Sequence, residues 1–167
     1  PFVFKDPRSE KYFLAITARE KSNKKEYNAC IALSESKDLI NWKTKKPILA
    51  PKIYDEMEVP QIIYHNKIYY LFFGVSWRGL YEPNWEKKVG THTGLHCYYS
   101  KNLKGPYKPV NKNGIILDHA EDIYGHRILH KKDNKFIAIG WLNKDKNGKF
   151  IGKISDPIHL EIKGTKI

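Results

Sequence analysis

The sequence predicts an all-β protein, a β-propeller of four-stranded antiparallel blades with about three blades in its 167 residues. Three observations carry that expectation. Short runs of Val, Ile, Phe and Tyr are bounded by Gly, Pro, Asn and Asp, the pattern of strands and tight turns. A hairpin-like segment recurs three times. A Ser-Lys-Asx-Leu segment recurs at Ser36 and Ser100, a spacing of 64 residues. With four short strands per unit, that period is the size of a propeller blade. No stretch sustains a 3.6-residue apolar period long enough to predict a helix.

The first unit, residues 1–50, opens with Phe2-Val3-Phe4, turns at Asp6-Pro7-Arg8-Ser9 and returns through Tyr12 to Ile16. A third strand is expected from Cys30 to Leu33, followed by Ser36-Lys37-Asp38-Leu39 and Trp42. The second unit, 58–117, repeats the plan. Ile62-Ile63-Tyr64 turns at His65-Asn66-Lys67 into Ile68 to Phe73, then come Leu95 to Tyr99, Ser100-Lys101-Asn102-Leu103 and Tyr107. The third unit, 122–163, pairs Arg127 to His130 with Phe136 to Trp141 across a turn at Lys131 to Asn134. Its third strand is expected at Lys149 to Ser155 and its fourth near Ile158 to Ile162. Trp42 and Trp141 lie in strand-like runs and are expected in the core. Cys30 and Cys97 are expected as buried free thiols. Three blades do not close a ring, and Pro1 begins almost inside a strand, so the sequence is expected to be part of a longer protein.

Composition removes several function classes. Hydrophobic residues make up 41% and charged residues 29%, the balance of a folded chain. Two Cys without C-x-x-C spacing give neither a disulfide scaffold nor a zinc motif. No apolar run approaches the roughly 20 residues of a membrane span, so no membrane partner is expected. The net charge of +12 raises nucleic-acid binding. The lysines argue against it, because they gather in turn-like segments (Lys21, Lys24 and Lys25; Lys43, Lys45 and Lys46; Lys131 and Lys132). Arg, the residue that forks onto phosphate, is scarce, and no nucleic-acid partner is expected.

The segment Tyr54-Asp55-Glu56-Met57-Glu58-Val59-Pro60-Gln61, with Ser36-Lys37-Asp38-Leu39-Ile40-Asn41-Trp42 upstream, resembles the five-bladed propeller glycosidases of glycoside hydrolase family 32. These are the invertases, levanases and other β-fructosidases. Family 43 propellers, which act on arabinose and xylose linkages, share that fold. The resemblance implies five blades, a carbohydrate substrate of the β-fructoside class and no cofactor. Its acid/base glutamate stands in a Glu-Cys-Pro segment at the head of a blade, matched here by Glu58-Val59-Pro60 with Val in place of Cys. Its Arg-Asp-Pro segment, whose Asp stabilises the transition state, is echoed by Lys5-Asp6-Pro7. Pro60 lies nine residues before Tyr69 and Pro1 eleven before Tyr12. Aligning the hairpins therefore sets Pro1 at the place of Pro60 and Asp6 in the turn. Either the family's Asp would precede Pro1 or Asp6 itself is the stabiliser. The nucleophile of an Asn-Asp-Pro type segment has no match in these residues, so the isolated chain is expected to be inactive.

Retaining glycoside hydrolysis needs two carboxyl groups, one attacking the anomeric carbon and one protonating the leaving oxygen. The acid must be protonated first, which burial or neighbouring negative charge promotes. Asp55 and Glu56 stand close enough in sequence to supply such charge. The segment Gly74 to Gly94 is too long for a tight hairpin and reads as a functional loop. In it, Trp77 can stack on a sugar face and Arg78 can bind hydroxyls. Asp122 and His126, in the polar run before the third hairpin, are candidate sugar ligands. His119, Asp122 and His126 match no specific metal spacing, and no metal is expected. A non-catalytic carbohydrate-binding propeller remains the alternative, since fold alone does not establish activity. The compartment, cytoplasmic or secreted, and the oligomeric state are not written in these residues.

Overall fold

The computed structural model describes residues 1–21, 26–76, 81–90, 92–118, 123–130, 135–145 and 147–167. They form three antiparallel sheets. The first runs β1 (Phe2–Lys5), β2 (Tyr12–Arg19), β3 (Ala29–Ser36) and β4 (Lys43–Thr44) in sequence order. The second runs β5 (Glu58–His65), β6 (Ile68–Val75), β7 (Gly94–Ser100) and β8 (Lys108–Pro109), with β9 (Ile115–Leu117) also pairing β7. The third contains β10 (Ile123–His130), β11 (Phe136–Lys144), β12 (Phe150–Ile154) and β13 (Ile158–Leu160). Each sheet is a meander whose first strand lies innermost, the topology of a propeller blade.

The middle sheet shows why the three pack side by side. Along β6, Tyr69, Leu71, Phe73 and Val75 belong to an apolar cluster shared with the first sheet, including Phe13, Ile31 and Leu33. Tyr70 and Phe72 belong to a second cluster with Ile128, Phe136 and Ala138 of the third. Successive side chains of a strand point to opposite faces, so a continuous apolar run is what a sheet buried on both faces requires. Truncating Leu71 to Ala would cost about 2–5 kcal/mol.

The repeated turns have one construction. The Ser36 hydroxyl accepts from the Asp38 and Leu39 amides, and Trp42 Nε1 donates to the Leu39 carbonyl at 3.0 Å. In the second sheet the Ser100 hydroxyl accepts from the Asn102 amide, and the Tyr107 hydroxyl donates to the Leu103 carbonyl at 3.0 Å. The Asp38 carboxylate, gathering donors from Asn41 and Ile40, is held well below the usual carboxylate range.

Three expectations are corrected. The segment near Ile158–Ile162 does not form an outer fourth strand. β12 pairs β11 at Trp141 to Lys144 and β13 pairs the same edge at Phe136 to Ala138. The two are one line broken at Ser155-Asp156-Pro157, where Pro157 has no amide to give the ladder. A short helix, α1 (Pro83–Val89), stands in the long connection between β6 and β7; the Glu82 carboxylate caps it by accepting from the Trp85 amide at 3.0 Å. Seven residues are too few for an apolar period to announce. Neither Trp42 nor Trp141 is core: Trp42 is half-buried on its turn, and Trp141 is 38% exposed. Cys30 and Cys97 are buried free thiols, and burial pushes both up. No helix among the described residues is long and apolar enough to cross a membrane.

Candidate functional site around Glu58

The acidic segment that enters β5 is held by two buried posts. Tyr54 and Met57 are fully buried in the cluster between the first two sheets. The Tyr54 hydroxyl meets that of Tyr98 at 3.0 Å, and its carbonyl accepts from the Ala29 amide at 3.2 Å. The carboxylates between the posts are thereby turned toward a cavity of about 250 Å³ lined by Arg19, Asp55, Glu56 and Glu58. Arg19 bridges Asp55 at 3.1 Å, and Ser76 Oγ donates to Glu56 Oε2 at 2.8 Å. A protein of net charge +12 thus concentrates negative charge at this place.

Glu58 is the first residue of β5 and lies opposite Gly74. Gln61 lies opposite Phe72, so Val59 and Pro60 together face one residue: a β-bulge, with Val59 at φ 43°. Bulges re-aim side chains at strand ends beside active sites. β10 repeats the device. Tyr124 pairs Trp141 and Arg127 pairs Ile139, with one extra residue between and Gly125 at φ 63°. Tyr124 therefore holds in the third sheet the place that Glu58 holds in the second.

These two equivalent residues meet. The Tyr124 hydroxyl donates to Glu58 Oε2. Burial, then the Glu58 carboxylate, pushes that hydroxyl well above the ordinary tyrosine range. Gly74 makes the approach possible, because a Cβ there would stand 3.3 Å from the Tyr124 oxygen. The same seam is sewn twice more. Arg127 Nη1 reaches the Val59 and Pro60 carbonyls, each at 3.3 Å. Gln61, which is buried, donates through Nε2 to the Ile128 carbonyl at 2.7 Å and accepts the Ile128 amide at 2.9 Å. The Arg127 guanidinium also lies 5.8 Å from the ring centre of Phe2. Arg127 thus touches all three innermost strands, β1, β5 and β10, which marks a hub.

The other sequence candidates fall in different places. Trp77, Arg78 and Asp122 lie outside the described residues. His126 is only 4% exposed in the β10 bulge, and Tyr124, two residues earlier, is the side chain that reaches Glu58. Asp6 lies in the turn after β1, bonded by the Tyr69 hydroxyl at 2.7 Å. Tyr69 and Gly74 are five residues apart on β6, roughly 17 Å of strand, so Asp6 and Glu58 occupy opposite ends of the sheets. Sequence reasoning passed over Tyr124, Arg127 and Gln61. Aligning the second and third hairpins residue by residue would have set Tyr124 on Glu58.

The family model of glycoside hydrolase family 68, levansucrase/invertase, matches residues 5–165. The chain belongs to that family. Family 68 therefore replaces families 32 and 43, which the sequence motifs suggested. The chain is 28% identical over 156 residues to the extracellular sucrase of Zymomonas mobilis, a match covering 84% of this chain and 36% of that one. It is 27% identical over 125 residues to the levansucrase of Erwinia amylovora, covering 70% and 29%. Among solved structures it is similar to the inulosucrase from Halalkalicoccus jeotgali bound to kestose, with a TM-score of 0.84 at 21% identity, covering 98% of this chain and 47% of that one. It is similar also to the levansucrase from Gluconacetobacter diazotrophicus, with a TM-score of 0.83 at 16% identity, covering 99% and 43%. The fold is that of these family 68 propellers. The chain spans about a third of the sucrase and under half of the inulosucrase.

Proposed function

We propose that this family 68 chain forms part of the active site of an enzyme acting on sucrose or fructans, with Glu58 as general acid/base. The observation that carries the reading is the placement of the Glu58 carboxyl: on a bulge at the hub, bonded by Tyr124 from the next blade and beside an acidic cavity. In the first step the protonated carboxyl gives its proton to the glycosidic oxygen as the bond to the anomeric carbon breaks. A second carboxylate forms the glycosyl-enzyme; in retaining enzymes the two stand about 5–5.5 Å apart. The reading assigns that nucleophile to a part of the protein outside these 167 residues. In the second step Glu58, now a carboxylate, takes a proton from the incoming hydroxyl. With water the outcome is hydrolysis, and with a sugar hydroxyl it is transfer. The names of the relatives, sucrase on one side and levansucrase and inulosucrase on the other, support the fructosyl class and favour transfer over hydrolysis alone.

The test is Glu58→Gln in the complete protein, assayed on sucrose with and without a fructan acceptor. Glucose release should fall by a factor on the order of 10²–10⁴ while the protein stays folded. Turnover at the wild-type rate would overturn the role of Glu58. A complete wild-type protein that binds fructans without cleaving sucrose would make it a binding propeller.

A further inference from the structure

The end of the sheets remote from Glu58 carries the opposite charge. Three turns meet there: the one from Asp6 to Lys11, the one after Ser36 and the one after Ser100. The pairings of Tyr12 with Lys5 and Ser36, and of Tyr69 with Ser100, set them at the same end. The Tyr69 hydroxyl, bonded to Asp6, ties the second sheet to the first. The Arg8 guanidinium adds another tie, donating to the Lys101 carbonyl at 3.1 Å. Between these turns lies a cavity of about 340 Å³ walled by Arg8, Lys11 and Lys104, with Ser9 and Asn102 beside them. A second cavity of about 260 Å³ is walled by Lys11, Lys37 and Lys43. Lys11 and Glu35 line both, so the two form one trough across the turns.

Five cations line the trough, Arg8, Lys11, Lys37, Lys43 and Lys104, against the three carboxylates of Asp6, Glu35 and Asp38. Each carboxylate is engaged inside the protein. Asp6 receives the Ser9 and Tyr69 hydroxyls. Asp38 receives the Ile40 and Asn41 amides and the Asn41 side chain. Glu35 pairs with Lys45 at 3.0 Å. That hydrogen bond outweighs burial and holds the Glu35 carboxyl below its ordinary range, with Lys11 and Lys104 adding to the effect. None of the five cations is in an ion pair among the described residues. Four of them are exposed and Lys11 is half-buried. The trough thus gathers unpaired positive charge in a concave place, where protein walls focus the field. The Glu58 end, with Asp55 and Glu56, presents negative charge instead.

We propose that this trough binds a flexible phosphate-linked polymer that carries no bases. Lysine ammonium groups take phosphate as point charges, and the one arginine adds a fork. Their spread over two joined cavities suits successive phosphates of a chain better than a single one. The aromatic side chains that line the trough, Phe13 and Tyr69, are buried, so nucleic-acid bases find no ring to stack on. A DNA duplex is stiff and crosses the mouth without entering. A bilayer surface is flat and meets only the rim. A polymer in the trough holds the protein by its turns, and the negative Glu58 end faces away from it, open to its own ligands. The proposal does not depend on the role given to Glu58.

The test measures binding of the complete protein to fluorescently labelled inorganic polyphosphate by anisotropy, over a range of salt. Affinity should fall about hundredfold between about 50 and 200 mM salt, as expected for about five neutralised phosphates. Lys11→Gln with Lys104→Gln should weaken binding about tenfold at low salt and cut the salt slope by about two-fifths. Lys37→Gln with Lys43→Gln should do the same from the other half of the trough, and decides the matter if the first pair fails to fold. Lys87→Gln with Lys88→Gln, on α1 at the Glu58 end, should leave binding at the wild-type level. Absence of binding at low salt would overturn the proposal. So would an equal loss in all three pairs, which would reduce the effect to net charge. Tighter binding of single-stranded DNA of equal charge, lost in the trough pairs, would make the trough a nucleic-acid site and overturn it. Tighter binding of vesicles containing phosphatidylglycerol, lost in the same pairs, would make it a membrane contact and overturn it as well.

Discussion

Two carboxylates, one just before a proline and one two residues before, stand at opposite ends of the same packed sheets. Asp6 is 3% exposed and has a donor on each oxygen: the Ser9 hydroxyl donates to one at 2.5 Å and the Tyr69 hydroxyl to the other at 2.7 Å. Its backbone closes the β1–β2 turn, donating to the Lys11 carbonyl at 2.9 Å and accepting from the Glu10 amide at 3.0 Å. Glu58 is half-buried, receives the Tyr124 hydroxyl on one oxygen, and lines a cavity. A buried carboxylate with both oxygens held by local donors is committed to the fold. One held by a single donor among the described residues, at a cavity, keeps capacity for a substrate. The Asp-Pro and Glu-Val-Pro segments look alike in sequence, and the strand end on which each lies separates them.

The largest expected effects break this comparison in two directions. Glu58→Gln should remove two or more orders of magnitude of turnover and leave the melting temperature within a few degrees. Asp6→Asn should do the opposite, lowering stability by about 1–3 kcal/mol through mispaired buried donors with kcat/KM nearly intact. Calorimetry and sucrose kinetics on both variants of the complete protein check the pair. An Asp6→Asn enzyme with normal stability and no activity would reverse the assignment.

Next in size is Tyr124→Phe, which keeps the ring against Trp141 and removes the hydroxyl. Turnover should fall on the order of tenfold, by analogy with the loss of one positioned hydrogen bond to a charged group. Wild-type turnover in Tyr124→Phe would show that Tyr124 packs without positioning Glu58. Gln61→Leu tests the same seam from the structural side. It strands the Ile128 amide and carbonyl, with an expected loss of about 1–3 kcal/mol seen in thermal unfolding.

Much of the fold was legible because its signals are local. The runs around Tyr12, Ile68 and Phe136 and the Asn66-Lys67 turn, with both residues at positive φ, are strand and hairpin chemistry written in adjacent residues. The doubled Ser-Lys-Asx-Leu turn announced the blade period. What stayed hidden needs contacts far apart in sequence. Tyr124 reaches Glu58 across 66 residues and Gln61 reaches Ile128 across 67. Nothing within either segment names its partner. The pairing of β13 with β11 was missed for the same reason, since Ile158-His159-Leu160 fits an inner or an outer strand equally well. Glu58 itself was legible through resemblance, and the related families 32 and 68 were not separated by so short a motif.

A third carboxylate sharpens the comparison at the small end of the scale. Asp118, just beyond β9, and His92, just before β7, lie near the Glu58 end of the middle sheet, since β7 begins opposite Val75. Asp118 Oδ2 meets His92 Nδ1 at 2.6 Å, and its other oxygen accepts the Thr93 amide at 2.9 Å. His92 Nε2 faces the Val89 carbonyl at the end of α1. Both ring nitrogens thus face acceptors, which only the imidazolium satisfies. The Asp118 hydrogen bond raises His92, and the His92 and Thr93 hydrogen bonds outweigh burial to lower Asp118. A raised histidine contributes stability that is full below about 6.5 and lost as pH rises through its folded value; a lowered aspartate contributes above about 3.9 and loses it as pH falls through its folded value. The latch on α1 should therefore hold best between about pH 4 and 6.5. His96 works the other way: burial lowers it to about 4, so global stability should fall as pH drops from about 6.5 toward that value. Amide exchange on α1 separates the two. The side chains of His92 and Asp118 are 29% and 45% exposed, so the latch is worth less than about 1 kcal/mol after solvent screening. His92→Gln should flatten the pH dependence of exchange in α1 and leave sucrose turnover at pH 6 near wild type. A flat profile in the wild type would remove the latch. A collapse of turnover would move Asp118 from the company of Asp6 to that of Glu58, and lying near the Glu58 end of the sheet would then count for more than having every oxygen paired.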